Sequence, residues 1–203
     1  MFPALYTIGY AGFPFAEFAG LLKQHGICGL VDVRSNPNST YHPDYNRDIL
    51  AQRLKEAGIR YRNYAREFGA RQPDRQYYPE GYLDFALFSQ SAPFLEGVER
   101  LCAAMQAGYT FTLMCAESDP IDCHRAILVS RAFARRGIEV CHLMTKQRTL
   151  SQQQLENRLV EHYFPDWQQC SLLAPQQPYE VLVEQAYQKR NAEIGYRLQE
   201  DAT

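Results

Sequence analysis

The segment FTLMCAESDPIDCHRAIL, residues 111–128, concentrates the side chains of this sequence that could carry out chemistry. Cys115 ends an apolar run typical of a buried strand, and the triplet Cys123-His124-Arg125 would lie in the first turns of the helix that follows. A helix N-terminus and a neighbouring cation both lower the pKa of a thiol, and the thiolate is the nucleophilic form. The pattern therefore favours cysteine chemistry, with the alternative that both cysteines are small buried hydrophobic residues.

Polar residues also follow the other apolar runs, where a parallel sheet would gather them at one edge. We expect Cys115 to be a nucleophile or redox thiol, and we expect Arg34 and Arg125 to bind an anion. Asp32, two residues before Arg34 on the same strand, would orient Arg34 or His124. The candidate catalytic residues are Cys115, Cys123, His124, Glu117 and Asp32, and the candidate substrate-binding residues are Thr7, Gly9, Tyr10, Arg34, Ser35, Tyr64, Glu67 and Arg125.

Cysteine and histidine, which commonly bind metals, are present, but their spacing does not indicate a metal site. Structural zinc sites usually contain a close Cys-x₂₋₄-Cys pair, and the close sets here are adjacent Cys-His doublets. A redox pair formed by Cys115 and Cys123 is an open alternative. The sequence has no phosphate-binding loop of the GxxxxGK[ST] type and no GxSxG turn. We therefore expect no metal and no cofactor.

The elements that must position these residues alternate in type along the chain. Apolar or alternating runs predict strands at 4–8, 28–33, 59–64, 109–114 and 138–143. Helical spacing predicts helices at 14–26, 45–57, 81–90, 92–107 and 118–136, with a long Arg- and Tyr-rich loop at 65–79. This order predicts an α/β fold: a single three-layer domain with a mostly parallel sheet of about five strands and helices on both faces.

The chain changes character after residue 145. Two polar helices are predicted at 151–162 and 179–195, joined by a Pro- and Gln-rich link at 165–178. We therefore divide the chain into an α/β domain, residues 1–145, and a helical C-terminal appendage, residues 146–203, packed on it.

Composition is that of an ordinary globular protein, with 46% hydrophobic and 22% charged residues. It excludes collagen-like, coiled-coil and disordered classes. No apolar run approaches the length of a membrane span, so we expect no membrane association. The N-terminus lacks the basic leader of a signal peptide, and six cysteines are too few for a disulfide scaffold. We expect reduced thiols and a cytoplasmic location, and the sequence gives no indication of oligomeric state.

Residues 34–75 carry a local excess of positive charge, although the net charge of the chain is −2. Eight arginines and one lysine are interleaved with tyrosines, and half-buried packing with a solvated charged face would explain them. The same combination also binds single-stranded nucleic acid or nucleotides. The substrate is therefore expected to be an anionic small molecule, nucleotide-like or linked to nucleic acid. The alternative function is a non-catalytic nucleic-acid-binding module that uses residues 34–75.

Three motifs, TIGY near the N-terminus, VDVRSNP after the second strand and CAESDPIDCHR after the fourth, together resemble the DUF488 family over about residues 5–144. The family is one of α/β cytoplasmic prokaryotic proteins whose biochemical function is unassigned. The resemblance implies an enzyme linked to nucleotide or nucleic-acid metabolism. It also implies that one site contains Thr7, Gly9, Asp32, Arg34, Pro37, Cys115, Glu117, Cys123, His124 and Arg125. Tyr10 departs from the histidine that often follows TIG in this family, which disfavours a role for an imidazole there.

Overall fold

The computed structural model describes residues 3–144, 148–169 and 177–198. Its six strands form one sheet in the order β3-β2-β4-β1-β5-β6. Their bounds are β1 Leu5–Gly9, β2 Gly29–Asp32, β3 Arg60–Asn63, β4 Phe111–Cys115, β5 Val140–Leu143 and β6 Thr149–Ser151. Strands β1 to β5 pair in parallel, and only β6 is antiparallel to its neighbour. The predicted α/β class with a mostly parallel sheet is confirmed, with β6 as an additional edge strand.

Helices cover both faces of the sheet. Their bounds are α1 Phe15–Gln24, α2 Arg47–Glu56, α3 Ala65–Phe68, α4 Phe85–Phe88, α5 Ala92–Gln106, α6 Arg131–Ala134, α7 Gln152–Tyr163 and α8 Tyr179–Ile194. Helices α1 and α2 bury apolar side chains with one face of the sheet. Helices α5, α7 and α8 share a second, larger core with the other face. No helix of the described residues is long and apolar enough to cross a membrane.

Three predicted elements differ from the structure. The helix expected at 81–90 is limited to α4, Phe85–Phe88. The loop expected at 65–79 contains helix α3 and a 3₁₀ turn at Arg75–Tyr77. Between them, the Gln72 side chain donates to the Gly69 carbonyl oxygen at 2.7 Å. The single helix expected at 118–136 is a 3₁₀ turn at Pro120–Asp122, then a π-helical segment at Arg125–Ser130 that continues into α6. A π-turn is wider than an α-turn and often occurs at functional sites.

The strand order places a crevice between β1 and β4. The chain leaves β1 through α1 and reaches β2, which lies beyond β4, whereas it leaves β4 and crosses to β5 on the other side of β1. The two connections run in opposite directions, so the carboxyl ends of β1 and β4 form a topological switch point. Ligands bind at such points in open α/β sheets.

Glycine is required at the end of β1. A Cβ atom on Gly9 would overlap the carbonyl oxygen of Glu117, which belongs to the loop that follows β4. Beyond Gly9, the Tyr10 amide donates to the Cys115 carbonyl oxygen at 3.0 Å. The absence of a side chain at Gly9 therefore allows this loop to pass directly over the end of β1.

A buried chain of hydrogen bonds joins the sheet to the C-terminal helices. The imidazole of His142 lies between the Thr7 hydroxyl (2.8 Å) and the Gln152 amide oxygen (3.1 Å). The Gln152 amide donates to the Tyr187 hydroxyl at 2.6 Å. Burial and the charge of Arg125 lower the pKa of His142 from 6.5 to about 3, so this imidazole stays neutral.

Replacing Gly9 with alanine is expected to destabilise the fold by about 1–3 kcal/mol, because the backbone of the loop after β4 must move. The matched control is Gly20→Ala on helix α1, where a Cβ atom would meet nothing within 4 Å. That control should stabilise the protein by about 0.5–1 kcal/mol through helix propensity. Denaturant unfolding measures both changes, and similar values for the two variants would contradict the close approach at Gly9.

Acid should destabilise the protein through His142. Below pH 6.5 the unfolded chain binds a proton on this imidazole and the folded protein does not, so stability is lost as the pH falls toward about 3. The expected slope is about 1.4 kcal/mol per pH unit. The free energy of unfolding of the native protein, measured against His142→Gln from about pH 7 to pH 4, isolates this contribution. Parallel curves for the two proteins would contradict it.

Candidate active site

A cavity of about 380 Å³ opens at the switch point between β1 and β4. Three regions of the chain supply most of its lining: the turn after β2, the loop after β4 and the C-terminal end of α8. Its lining residues are Tyr10, Arg34, Ser35, Asn36, Asn38, Ser39, Ala70, Arg71, Cys115, Ala116, Glu117, Asp122, His124, Ile194 and Tyr196. The cavity therefore lies where the sequence predicted the site.

Cys115 and His124 face each other in this cavity. The Cys115 Sγ atom lies 3.9 Å from Nδ1 of His124, within reach of a weak hydrogen bond to sulfur. Nε2 of His124 donates to the Val33 carbonyl oxygen at 3.0 Å, which fixes the orientation of the ring. This is the arrangement of a thiol and a base that is oriented by a third group.

Cys123 lies behind this pair and has its own partners. Its Sγ atom is 2.9 Å from Oε2 of Glu117, and it accepts the Arg125 backbone N–H at 3.4 Å. The Cys115 and Cys123 sulfur atoms lie within 4.8 Å of each other. Both cysteines are buried, but Cys115 lines the cavity and Cys123 does not. The two thiols therefore have different access to a ligand.

The guanidinium of Arg125 holds this arrangement together. Arg125 is fully buried, and it donates to the carbonyl oxygens of Glu117 (2.6 Å) and Ser118 (3.3 Å). It forms no ion pair with a carboxylate of the described residues, and its Nε atom has no hydrogen-bond partner there. A buried cation without a carboxylate favours a negative charge nearby, and Cys123 is the adjacent acid.

The two thiols titrate as a coupled pair. Burial opposes ionisation of Cys123, but its hydrogen bond with Cys115 and the charges of Arg125 and His124 outweigh burial and lower the pKa of Cys123. The hydrogen bond with Cys123, then burial, raises the pKa of Cys115, because a second thiolate would lie beside the first. The pair thus favours a thiolate on Cys123 and a proton on Cys115.

The neighbours of the pair respond to that charge. Burial disfavours the imidazolium of His124, but contact with the Cys123 thiolate outweighs burial and raises the pKa of His124. Burial and then the Cys123 charge raise the pKa of Glu117, so its carboxyl group can donate a proton to the thiolate. The site therefore favours a thiolate on Cys123 beside two groups whose protonated forms are favoured.

Arg34 lines the cavity and is held by a buried carboxylate. Its Nε and Nη2 atoms donate to the Asp32 carboxylate at 2.8 and 2.6 Å, and Nη2 also donates to the Tyr45 carbonyl oxygen at 2.9 Å. The Tyr61 hydroxyl donates to the same carboxylate at 2.7 Å. Nη1 is buried and has no hydrogen-bond partner among the described residues. Asp32 therefore orients Arg34, and Nη1 is the guanidinium nitrogen left without a hydrogen-bond partner among the described residues.

The structure brings most of the candidate residues to one place. Tyr10, Arg34, Ser35, Cys115, Glu117 and His124 line the cavity. Cys123, Asp32 and Arg125 lie behind the lining and hydrogen bond with one another or with lining residues.

The remaining candidates lie elsewhere. Thr7 is buried and bonds to His142, and Gly9 packs against the Glu117 backbone. Tyr64 stacks on Phe68 at 5.5 Å, and Glu67 pairs with an arginine of α5. None of these four lines the cavity. Pro37, which the motif VDVRSNP placed in the site, accepts a backbone hydrogen bond from the start of α2 and does not line it either.

Sequence reasoning missed part of the cavity wall. Ile194 and Tyr196 belong to the C-terminal appendage, and Tyr196 lies under the Arg71 guanidinium at 4.7 Å. The Leu83 amide donates to the Tyr196 carbonyl oxygen at 2.9 Å, which fixes this segment. No local motif marks these residues. The sequence indicated Arg71 only weakly, as one of the arginines of the basic segment 34–75.

Three residues here could also present atoms to a metal ion. The sulfur atoms of Cys115 and Cys123 and a ring nitrogen of His124 lie within 4.8 Å of one another. A structural zinc site uses four ligands, and the described residues offer three in this group. Cys123 is instead hydrogen bonded to Glu117. We therefore do not identify these residues as metal ligands.

Comparison with known proteins gives one match. A family model described as "Domain of unknown function DUF488" matches residues 14–132. The match contains the candidate residues from Arg34 to Arg125 and ends before the C-terminal segment that completes the cavity wall. Searches of the curated proteins and of the solved structures found no match.

Removal of the Arg125 guanidinium should destabilise the protein strongly. Arg125→Met leaves the Glu117 and Ser118 carbonyl oxygens without these donors, and we expect a loss of about 3 kcal/mol. The matched control is Arg135→Met, which removes an exposed ion pair with Glu184 and should cost less than about 1 kcal/mol. Chemical unfolding measures both variants, and an equal, small loss would show that Arg125 does not hold the loop.

Proposed function

Since the chain belongs to the DUF488 family, whose function is unknown, we propose that it is a cysteine-dependent enzyme acting on a small anionic substrate. Cys115 attacks a substrate bound in the cavity at the switch point. One observation carries this proposal: Arg34, whose Nη1 atom lacks a hydrogen-bond partner among the described residues, lines the same cavity as the Cys115–His124 pair. A hydrogen-bond donor for an anion and a nucleophile would thus act on the same ligand.

The proton transfers follow from the coupled thiols. As Cys115 attacks, its proton passes to the Cys123 thiolate, which is stabilised by Arg125. His124 then donates the proton on Nδ1 to the atom that leaves, since its pKa is raised by the thiolate beside it. The Val33 carbonyl oxygen keeps the ring in place during this transfer.

Charge and size support an anionic ligand of about the size of a nucleotide. Arg34, Arg71 and His124 are the basic residues of the lining. Of the acidic residues there, Asp122 pairs with Arg190 and Glu117 has a raised pKa. The volume of about 380 Å³ lies within the usual range of small-molecule pockets. Tyr10 and Tyr196 line the same cavity, and aromatic rings of this kind can stack on a base.

The alternative function, nucleic-acid binding through residues 34–75, has less support. Arg53 pairs with Asp44 and packs on the Phe15 ring at 4.0 Å, and Arg60 lies over the Tyr109 ring at 5.6 Å. These arginines therefore have intramolecular partners. Nucleic-acid binding that weakens steeply with salt would favour this alternative.

The pH dependence of alkylation tests the proposal. The rate at which iodoacetamide labels Cys115 should show an inflection below the ordinary thiol pKa of about 8.5. Cys115 passes its proton to the Cys123 thiolate as it attacks, and the pKa of Cys123 is lowered. In His124→Gln the inflection should rise by about one pH unit, since a cation near the thiolate is lost. Mass spectrometry of peptides from native protein measures the labelling rate of each cysteine.

Cys102 and Cys141 serve as internal controls in the same samples. Burial raises the pKa of both thiols, so they should react only at higher pH. A Cys115 that stays unreactive until the protein unfolds would contradict the proposal and identify it as a core residue.

A further inference from the structure

Cys123 is a buried nucleophilic group whose proximity to Cys115 has a consequence of its own. The two sulfur atoms lie within 4.8 Å, and no disulfide joins them. A disulfide requires about 2.05 Å between the sulfur atoms, so a modest movement of the two side chains would bring them into bonding distance. Cys115 faces the cavity and Cys123 does not, as expected of an attacking thiol and a resolving thiol.

We propose that the reacting atom of the substrate is sulfur, and that this site performs thiol–disulfide exchange on a small anionic disulfide with Cys123 as the resolving thiol. This inference rests on the proposed function, because Cys115 must attack first. It adds what the proposed function leaves open, the class of bond that is broken. A thiol held beside the nucleophile releases a covalent intermediate by forming a disulfide when the nucleophile's sulfur is linked to another sulfur or to the oxygen of a sulfenic acid.

In the first step the Cys115 sulfur attacks one sulfur of the substrate R–S–S–R. The S–S bond of the substrate breaks, Cys115 forms a mixed disulfide with one half, and the other half leaves as a thiolate. The proton on Nδ1 of His124 passes to this thiolate, and the proton of Cys115 passes to the Cys123 sulfur.

In the second step the Cys123 sulfur attacks the Cys115 sulfur of the mixed disulfide. A Cys115–Cys123 disulfide forms and the second half of the substrate leaves as a thiolate. Glu117 lines the cavity and lies 2.9 Å from the Cys123 sulfur, so it gives its carboxyl proton to the departing thiolate and takes up the Cys123 proton in exchange. The substrate gains two electrons and two protons and becomes two thiols. The protein supplies these two electrons as its two thiols are oxidised to the disulfide.

Position and charge fit these separate roles. Glu117 contacts the buried thiol, and His124 contacts the thiol that faces the cavity. Arg34 and Arg71 lie at the same cavity, where carboxylate or phosphate groups of a substrate would bind. Hydrogen peroxide would also oxidise Cys115, but it needs no cavity of this size and no arginine. The observations therefore favour an anionic disulfide.

The experiment uses the full, reduced chain and glutathione disulfide, which carries four carboxylates, as the probe. The native protein should release two equivalents of glutathione, lose the mass of two hydrogen atoms and contain a Cys115–Cys123 cross-linked peptide. Cys123→Ser should stop after one equivalent and keep one glutathione on Cys115. Cys115→Ser should release none, and Cys141→Ser should behave as the native protein does.

Selectivity for the anion is tested with a neutral probe, 2-hydroxyethyl disulfide. Arg71→Gln should slow the reaction with glutathione disulfide about two- to fivefold, the effect of one exposed ionic contact, and leave the neutral probe unchanged. Arg136→Gln, outside the cavity, is the matched control and should change neither rate. A native protein equally fast with both probes, or faster with hydrogen peroxide, would overturn the anionic disulfide as substrate.

Failure of the inference and failure of the proposed function give different results. If Cys115 is alkylated as proposed but the native protein keeps a stable mixed disulfide, or does not react with disulfides, the inference is wrong and the proposed function stands. If Cys115 is inert to alkylation and to disulfides, both are wrong. If both thiols become reactive only after a chelator removes zinc from the purified protein, they are metal ligands and both proposals are overturned.

Discussion

The buried guanidinium of Arg125 is the interaction on which the site depends. It donates to two carbonyl oxygens of the loop after β4, and so fixes the path that places Cys115 and Glu117 beside Cys123. Its charge has no carboxylate partner among the described residues, and it lowers the pKa of both Cys123 and His142. One cation therefore stabilises a thiolate on its cavity side and a neutral histidine on its core side.

Two features of the backbone allow the loop after β4 to take this path. Opposed connections at β1 and β4 open the crevice, and Gly9 allows the loop after β4 to cross the end of β1. The π-helical segment then begins at Arg125, directly after the Cys123-His124 pair. Irregular backbone is thus concentrated where the thiols are, whereas the strands beneath are regular and fully paired.

Local patterns were sufficient to predict the sheet, its α/β class and the edge at which the site lies, because apolar runs and strand-end polar residues are encoded by neighbours in sequence. The pairing of Asp32 with Arg34 was also predictable, since residues two apart on a strand share a face. The role of Tyr196 was not, because it depends on where α8 ends relative to a strand far from it in sequence. Gly9 was expected to bind substrate, and its close approach to Glu117 needs two loops that only the fold brings together.

The most direct test of the central claim is a crystal structure of the protein after reaction with iodoacetate. This reagent has the negative charge of the proposed substrate and leaves a carboxymethyl group on the thiol that attacks it. The account predicts the adduct on the Cys115 sulfur, with its carboxylate hydrogen bonded to Nη1 of Arg34. An adduct confined to cysteines outside the cavity, or a Cys115 adduct whose carboxylate avoids Arg34, would contradict the account.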